Sequence, residues 1–290
     1  MKTQIIGTGL SGLIGTRIAE LLGDKYEFID ISLSTGVDIT IFDQVIDSIN
    51  RLPGKTILHM AAKTDVDGCE DEKILGEESQ SWTVNVVGTQ NIIEAAKRLG
   101  KRIIYISTDF VFDGTKEFYN EDDQPNPVNW YGYTKYEAEL HVIASGLDYC
   151  IVRLAYPYRA YFPPKLDFVR RIIEKVKKGE KIMALTDHVF TPTFIDDIAF
   201  AMDLLLEKDL TGIFHIVGSQ FLSPSEASDS IFKIFKLKGD IETIKRADYF
   251  KDRAFRPCRL ALKNDKITKL GIKMSKFTEG LQEIRRQISP

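Results

Sequence analysis

Short apolar runs alternate with amphipathic stretches through the first half of the chain. Strand-like runs fall at Thr3 to Ile6, Tyr26 to Ile31, Thr56 to Met60, Arg102 to Ser107 and Tyr149 to Leu154. Most are continuously apolar and β-branched, the pattern of parallel strands covered on both faces. Between them the spacing predicts helices over Leu13 to Leu22, Phe42 to Asn50, Trp82 to Leu99 and Tyr133 to Ala144. Val86, Ile93, Ala96 and Leu99 share one helical stripe. Strand and helix in alternation predict an α/β fold with a Rossmann-like, doubly wound parallel sheet.

The second half is less regular. Pro157, Pro163 and Pro164 interrupt the chain after the fifth strand, and a helix follows over Leu166 to Lys178. A helix over Asp196 to Leu206 precedes one more buried strand at Ile213 to Val217, and a last helix spans Phe277 to Ile288. The expected organisation is a dinucleotide-binding core over 1–155, to which 190–218 returns. A smaller, discontinuous α/β substrate-binding region comes from 156–189 and 219–290.

Composition narrows the function. The 290 residues carry a net charge of -3 with acids and bases interspersed, which argues against a nucleic-acid surface. Cys69, Cys150 and Cys258 form neither a CxxC nor an even-numbered framework, so a reducing, cytoplasmic setting is expected. The four histidines are scattered without zinc-site spacing, and no metal is expected. No apolar run approaches the roughly 18 residues of a membrane span, and the first strand begins too early to leave room for a signal peptide.

The turn after the first strand reads Gly7-Thr8-Gly9-Leu10-Ser11-Gly12-Leu13-Ile14-Gly15 and opens into a helix. Glycines there let a pyrophosphate approach the backbone, and the helix start supplies N–H donors with partial positive charge. Two registers fit: Gly7, Gly9, Gly12 or Gly9, Gly12, Gly15. Asp30 ends the second strand 18 residues after Gly12. That is near the roughly 20 expected of an acid that binds the adenosine ribose, and an acid there favours NAD over NADP.

Tyr131 and Lys135 stand at i, i+4 on one helix face. An ammonium beside a phenol lowers its pKa and makes it a usable acid or base. A second YxxxK, Tyr161 to Lys165, contains Pro163-Pro164, which excludes a regular helix. The fourth strand ends Ile106-Ser107-Thr108-Asp109, placing hydroxyls at the sheet edge where ligands of such folds bind.

The Gly9/Gly12/Gly15 turn, His59-Met60-Ala61-Ala62, Asn85, the run Ser107 to Gly114 and Tyr131-Gly132-Tyr133-Thr134-Lys135 together resemble the extended short-chain dehydrogenase/reductase superfamily. Within it the chain resembles the dTDP-4-dehydrorhamnose reductase family most. The resemblance implies a catalytic set of Thr108, Tyr131 and Lys135. It implies cofactor contacts from Gly9, Gly12, Leu13, Ile14, Gly15, Asp38, Ile39, Ala61, Ala62, Asn85, Ser107, Tyr156 and Pro157, besides Asp30, Tyr131 and Lys135. Asp109, Val111 and Arg256 are the candidate substrate contacts. The implied activity is NAD(P)H-dependent reduction of a nucleotide-linked 4-keto-6-deoxy sugar, by an enzyme expected to be a homodimer. The alternatives are a nucleotide-sugar epimerase or dehydratase, and a non-catalytic regulatory subunit like that of methionine adenosyltransferase. Two departures bear on the substrate. Tyr156-Pro157 lacks the glycine usual after that tyrosine, and the loop Glu70 to Ser81 is long and acidic.

Overall fold

The computed structural model describes residues 2–288. In chain order the first half forms β1 (Thr3–Thr8), α1 (Gly15–Leu22), β2 (Tyr26–Asp30), α2 (Phe42–Asn50), β3 (Thr56–His59), α3 (Val66–Asp71), α4 (Gln80–Trp82), α5 (Gly88–Arg98), β4 (Arg102–Thr108), α6 (Trp130–Ile143) and β5 (Tyr149–Leu154). Then come β6 (Pro157–Tyr158), α7 (Phe168–Lys177), β7 (Ile182–Leu185), β8 (Thr193–Phe194), α8 (Ile195–Glu207), β9 (Gly212–His215), α9 (Pro224–Phe235), β10 (Ile241–Ile244), α10 (Arg246–Tyr249), α11 (Asp265–Lys269) and α12 (Phe277–Ile288).

Six parallel strands make the central sheet in the order β2-β1-β3-β4-β5-β9. Their continuous apolar character follows from burial on both faces. Ile5, Leu58, Ile104 and Val152 join α1 and α8 in one core, while Ile6, Ile57, Tyr105 and Ile151 face α2, α5 and α6 in another. The expected strands and helices of the first half are all present, as is the late strand β9.

Several boundaries differ for local reasons. α6 begins at Trp130, three residues before the apolar periodicity, because the Asn129 side chain accepts a hydrogen bond from Gly132 N at 2.8 Å and caps the helix. The helix expected over Trp82 to Leu99 is α4 and α5 joined through a π-helical segment, Thr83–Val87, which carries Asn85. β7 pairs with β10, and β6 with β8, as two small parallel sheets that sequence periodicity does not reveal. Around them Tyr158, Val169, Phe190, Phe194, Ile231, Phe277 and Leu281 build a third apolar cluster. Among the described residues no helix is long and apolar enough to cross a membrane.

Candidate active site

The sheet order reverses between β1 and β3, and a cleft of about 990 Å³ opens at the carboxyl ends of the strands there. Strand register brings the chemistry together. Thr8 lies opposite His59 across β1 and β3, and Thr108 lies opposite Leu154 across β4 and β5.

In the turn after β1, Gly9, Gly12 and Gly15 line the cleft and Gly7 does not. Gly9 has φ +68°, and a Cβ on it would stand 2.8 Å from the Ala61 nitrogen. A Cβ on Gly15 would lie 2.6 Å from Leu10 Cα, so both glycines are required by the turn itself. A Cβ on Gly12 meets only the Gly9 carbonyl, at 3.1 Å. Bareness at Gly12 therefore serves the open side of the turn, toward the cleft. No side chain caps the start of α1; the Thr16, Arg17 and Ile18 amides are spent on the Gly12 and Ile14 carbonyls, so an anion would be met by the amides just ahead of them.

Behind the turn, a buried hydrogen-bonded chain locks the ends of β1 and β3. Thr8 Oγ1 contacts His59 Nδ1 at 2.7 Å and accepts from the Met60 and Ala61 amides, and His59 Nε2 meets Thr89 Oγ1 at 2.9 Å. Burial pulls the His59 pKa down to about 3, with the Lys135 charge adding to the effect. At the end of β2, Ser32 Oγ donates to Asp30 Oδ2 at 2.8 Å. Asp30 Oδ1 is buried and has no hydrogen-bond partner. That orphaned acceptor stands behind the cleft-lining Ser32 and Ser34.

Tyr131 and Lys135 both line the cleft from α6 and are buried. Their relation differs from the one expected. Lys135 Nζ donates to the Ile106 carbonyl at 2.8 Å and lies 4.2 Å from the centre of the Tyr105 ring. Burial pulls the ammonium down to about 7, opposed by Glu139. Burial likewise drives the Tyr131 phenol above its ordinary value, and a hydrogen bond with Thr108 offsets part of that. The ammonium therefore does not hold the phenol acidic. Desolvation dominates at both groups.

Asp109 is buried beside them. Its Oδ1 accepts from Thr108 Oγ1 at 3.0 Å, and its Oδ2 has no partner. Burial pushes this carboxyl up to about 7, against the Thr108 hydrogen bond. Tyr156 borders the same space with φ +41°, an uncommon conformation for a residue other than glycine. Its hydroxyl lies 3.3 Å from His188 Nε2.

The model of the RmlD substrate binding domain family matches residues 1–289. The chain belongs to this family. It is 30% identical to a dTDP-4-dehydrorhamnose reductase of Aggregatibacter actinomycetemcomitans, over 97% of this chain and 98% of that one. The crystal structure of dTDP-4-dehydrorhamnose reductase from Bacillus anthracis in complex with NADP superposes with a TM-score of 0.90 at 28% identity, covering 99% of this chain and 100% of the other. Methionine adenosyltransferase 2 subunit beta of Bos taurus is 30% identical over 81% of this chain and 72% of its own length.

In this member of the RmlD substrate binding domain family, one cleft gathers most of the residues singled out from sequence. Gly9, Gly12, Leu13, Ile14, Gly15, Asp38, Ile39, Ala61, Ala62, Ser107, Thr108, Asp109, Tyr131, Lys135, Tyr156 and Pro157 all line it. Four do not. Asp30 stands behind Ser32 and Ser34. Asn85 is consumed as a clamp: its Oδ1 accepts from Lys63 N at 2.8 Å, and its Nδ2 donates to Thr134 Oγ1 at 3.0 Å. Val111 is fully buried in apolar packing, and Arg256 is paired with Asp67. Sequence reasoning missed the wall formed by Phe162, Pro164, Lys165, Leu166, Phe168 and Arg171. The sequence signals there are the second YxxxK, which is not helical at 161–165, and the helix expected from Leu166, whose cleft-facing side the spacing does not mark.

Proposed function

We propose that this chain is an NAD(P)H-dependent reductase of a dTDP-linked 4-keto-6-deoxy sugar. The observation that carries the reading is the sharing of one cleft by the glycine turn and by Thr108, Tyr131 and Lys135. A dihydronicotinamide held in this cleft would supply the hydride for the keto carbon. The Tyr131 hydroxyl then gives its proton to the carbonyl oxygen. Reduction needs a protonated phenol, and the burial that raises its pKa keeps it protonated at neutral pH. Thr108 orients the carbonyl with its hydroxyl, and Lys135 acts from the cofactor side of the cleft rather than on the phenol.

The amides of Leu13, Ile14 and Gly15 hold the cofactor pyrophosphate, with Gly9 and Gly12 admitting it. Asp38 and Ile39 flank the adenine, Ala61 and Ala62 lie along the dinucleotide, Ser107 and Lys135 reach the nicotinamide ribose, and Tyr156 and Pro157 border the ring. Asn85 acts by positioning the loop at Lys63 and the helix at Thr134. Asp30 binds the adenosine ribose, and its carboxylate favours NADH over NADPH by repelling a 2′-phosphate. Segments 156–189 and 219–290 form the sugar-nucleotide side. Three free cysteines accord with a cytoplasmic enzyme, and a symmetric homodimer is the proposed assembly.

The test is nicotinamide absorbance with purified protein and a dTDP-4-keto-6-deoxy sugar, with NADH and NADPH in parallel. Consumption of either dinucleotide in step with sugar supports the reading, and none with either ends it. The likeness to the methionine adenosyltransferase subunit supports a second reading, a regulatory subunit. A stoichiometric protein partner with no turnover would favour that one. Tightly retained NAD⁺ without net consumption would instead favour an epimerase or dehydratase.

A further inference from the structure

Three cationic side chains line the cleft: Lys135, Lys165 and Arg171. Lys135 belongs to the catalytic set. The other two stand on the wall that leads into α7, where neighbouring cations are already matched. Arg159 pairs with Glu20 at 2.7 Å, Arg170 with Asp167 at 2.7 Å, and Arg256 and Lys63 with Asp67 and Glu72. Among the described residues Lys165 Nζ reaches only the Thr64 hydroxyl, at 3.3 Å. Arg171 has no side-chain hydrogen bond or ion pair among the described residues.

Two of the carboxylates that line the cleft are already engaged. Asp167 caps α7 and accepts from Arg170, while Asp38 accepts from Thr40. Two unmatched cations thus face one cleft in a chain of net charge -3. Their place in the cleft separates them from the adenosine end. Thr64 follows Ala61 and Ala62 beyond β3, and Phe168, one turn before Arg171, touches the Tyr156 ring at 6.3 Å between centroids. This is the nicotinamide side, away from Asp30 and Ser32. Pro163 and Pro164 stiffen the backbone that presents Lys165.

We infer that Lys165 and Arg171 form the seat for a second diphosphate, that of the sugar nucleotide, opposite the glycine turn that takes the first. This rests on the reductase reading above, because a nucleotide sugar is what brings a second diphosphate into the cleft. Lysine supplies a point charge and arginine a bidentate fork, a pairing that spans two adjacent phosphates. The pair takes the role that sequence chemistry assigns to Arg256.

The experiment is calorimetric titration of dTDP into the protein saturated with NADP⁺, beside separate titrations of NADH and NADPH. Wild type binds dTDP. The double variant Lys165→Gln/Arg171→Gln binds it roughly a hundredfold more weakly, about tenfold for each cation removed. Both dinucleotides keep wild-type affinity, and Arg171→Lys recovers part of the affinity. Both side chains are exposed, and an unchanged melting temperature excludes misfolding. A double variant that binds dTDP as wild type does overturns the inference and leaves the reductase reading standing. Weakening confined to NADPH assigns the cations to a 2′-phosphate, and equal weakening of NADH and NADPH assigns them to the cofactor pyrophosphate; either result overturns it. Wild type that neither binds dTDP nor turns over the keto-sugar removes the reductase reading, and the inference with it.

Discussion

Asp109→Asn tests how the site is built against the stability of the fold. In the folded chain this carboxyl is moved from 3.8 up to about 7 by burial. A raised carboxylate pKa opposes folding once the unfolded chain ionises. The cost is absent below pH 3.8, grows between 3.8 and 7, and is complete above 7. At about 1.4 kcal/mol per pH unit, it amounts to roughly 2 kcal/mol at pH 5.5 and roughly 4 kcal/mol at pH 8. Asparagine removes the ionisation but leaves an amide where Oδ2 has no partner, a penalty of about 1–3 kcal/mol that does not change with pH. The difference between the two pH values isolates the charge. Urea unfolding should therefore show the stability of Asp109→Asn, relative to wild type, improving by roughly 2 kcal/mol from pH 5.5 to pH 8. An equal relative stability at both values would refute the reasoning, as it would mean that Asp109 ionises normally in the cleft.

Glu139 and Arg153 form a fully buried bidentate pair at 3.0 and 2.7 Å, so Glu139→Gln should cost about 3–5 kcal/mol in urea unfolding by stranding the guanidinium. His215 is buried with a pKa pulled down to about 3 by burial. The neutral ring adds stability above pH 6.5 that is lost as pH falls toward 3, so the advantage of wild type over His215→Asn should shrink by roughly 2 kcal/mol from pH 7 to pH 5. Asp30→Ser should raise kcat/KM for NADPH relative to NADH, as measured by absorbance with each dinucleotide; an unchanged ratio would remove Asp30 from cofactor choice.

The parts of the site legible in sequence are those made locally. Gly9, Gly12 and Gly15 act within one strand-to-helix turn, Tyr131 and Lys135 within one turn of α6, and Ser107 to Asp109 at one strand end. Apolar runs buried on both faces announce the central sheet for the same reason. What stays hidden depends on distant partners. Arg256 reads as available for a phosphate, yet the fold sets Asp67 beside it from 189 positions away. The resemblance implies a cofactor contact for Asn85, yet its amide is spent on Lys63 and Thr134. Lys165 lies in a proline-broken stretch and Arg171 in a helix whose cleft side the periodicity does not mark, and only the packing of α7 and its loop along the cleft gives them a face. The electrostatics are hidden too. Spacing places the Lys135 ammonium near the Tyr131 phenol, whereas the buried Ile106 carbonyl and Tyr105 ring take up the ammonium.

Tyr131→Phe puts the central claim to its most direct test. The variant removes one hydroxyl from the cleft wall and leaves the glycine turn untouched. With NADPH or NADH and the dTDP-linked keto-sugar, turnover should fall by about 10²–10⁴ while dinucleotide affinity stays within about threefold of wild type. Wild-type turnover in Tyr131→Phe would contradict the account, because the proton would then reach the sugar oxygen from elsewhere.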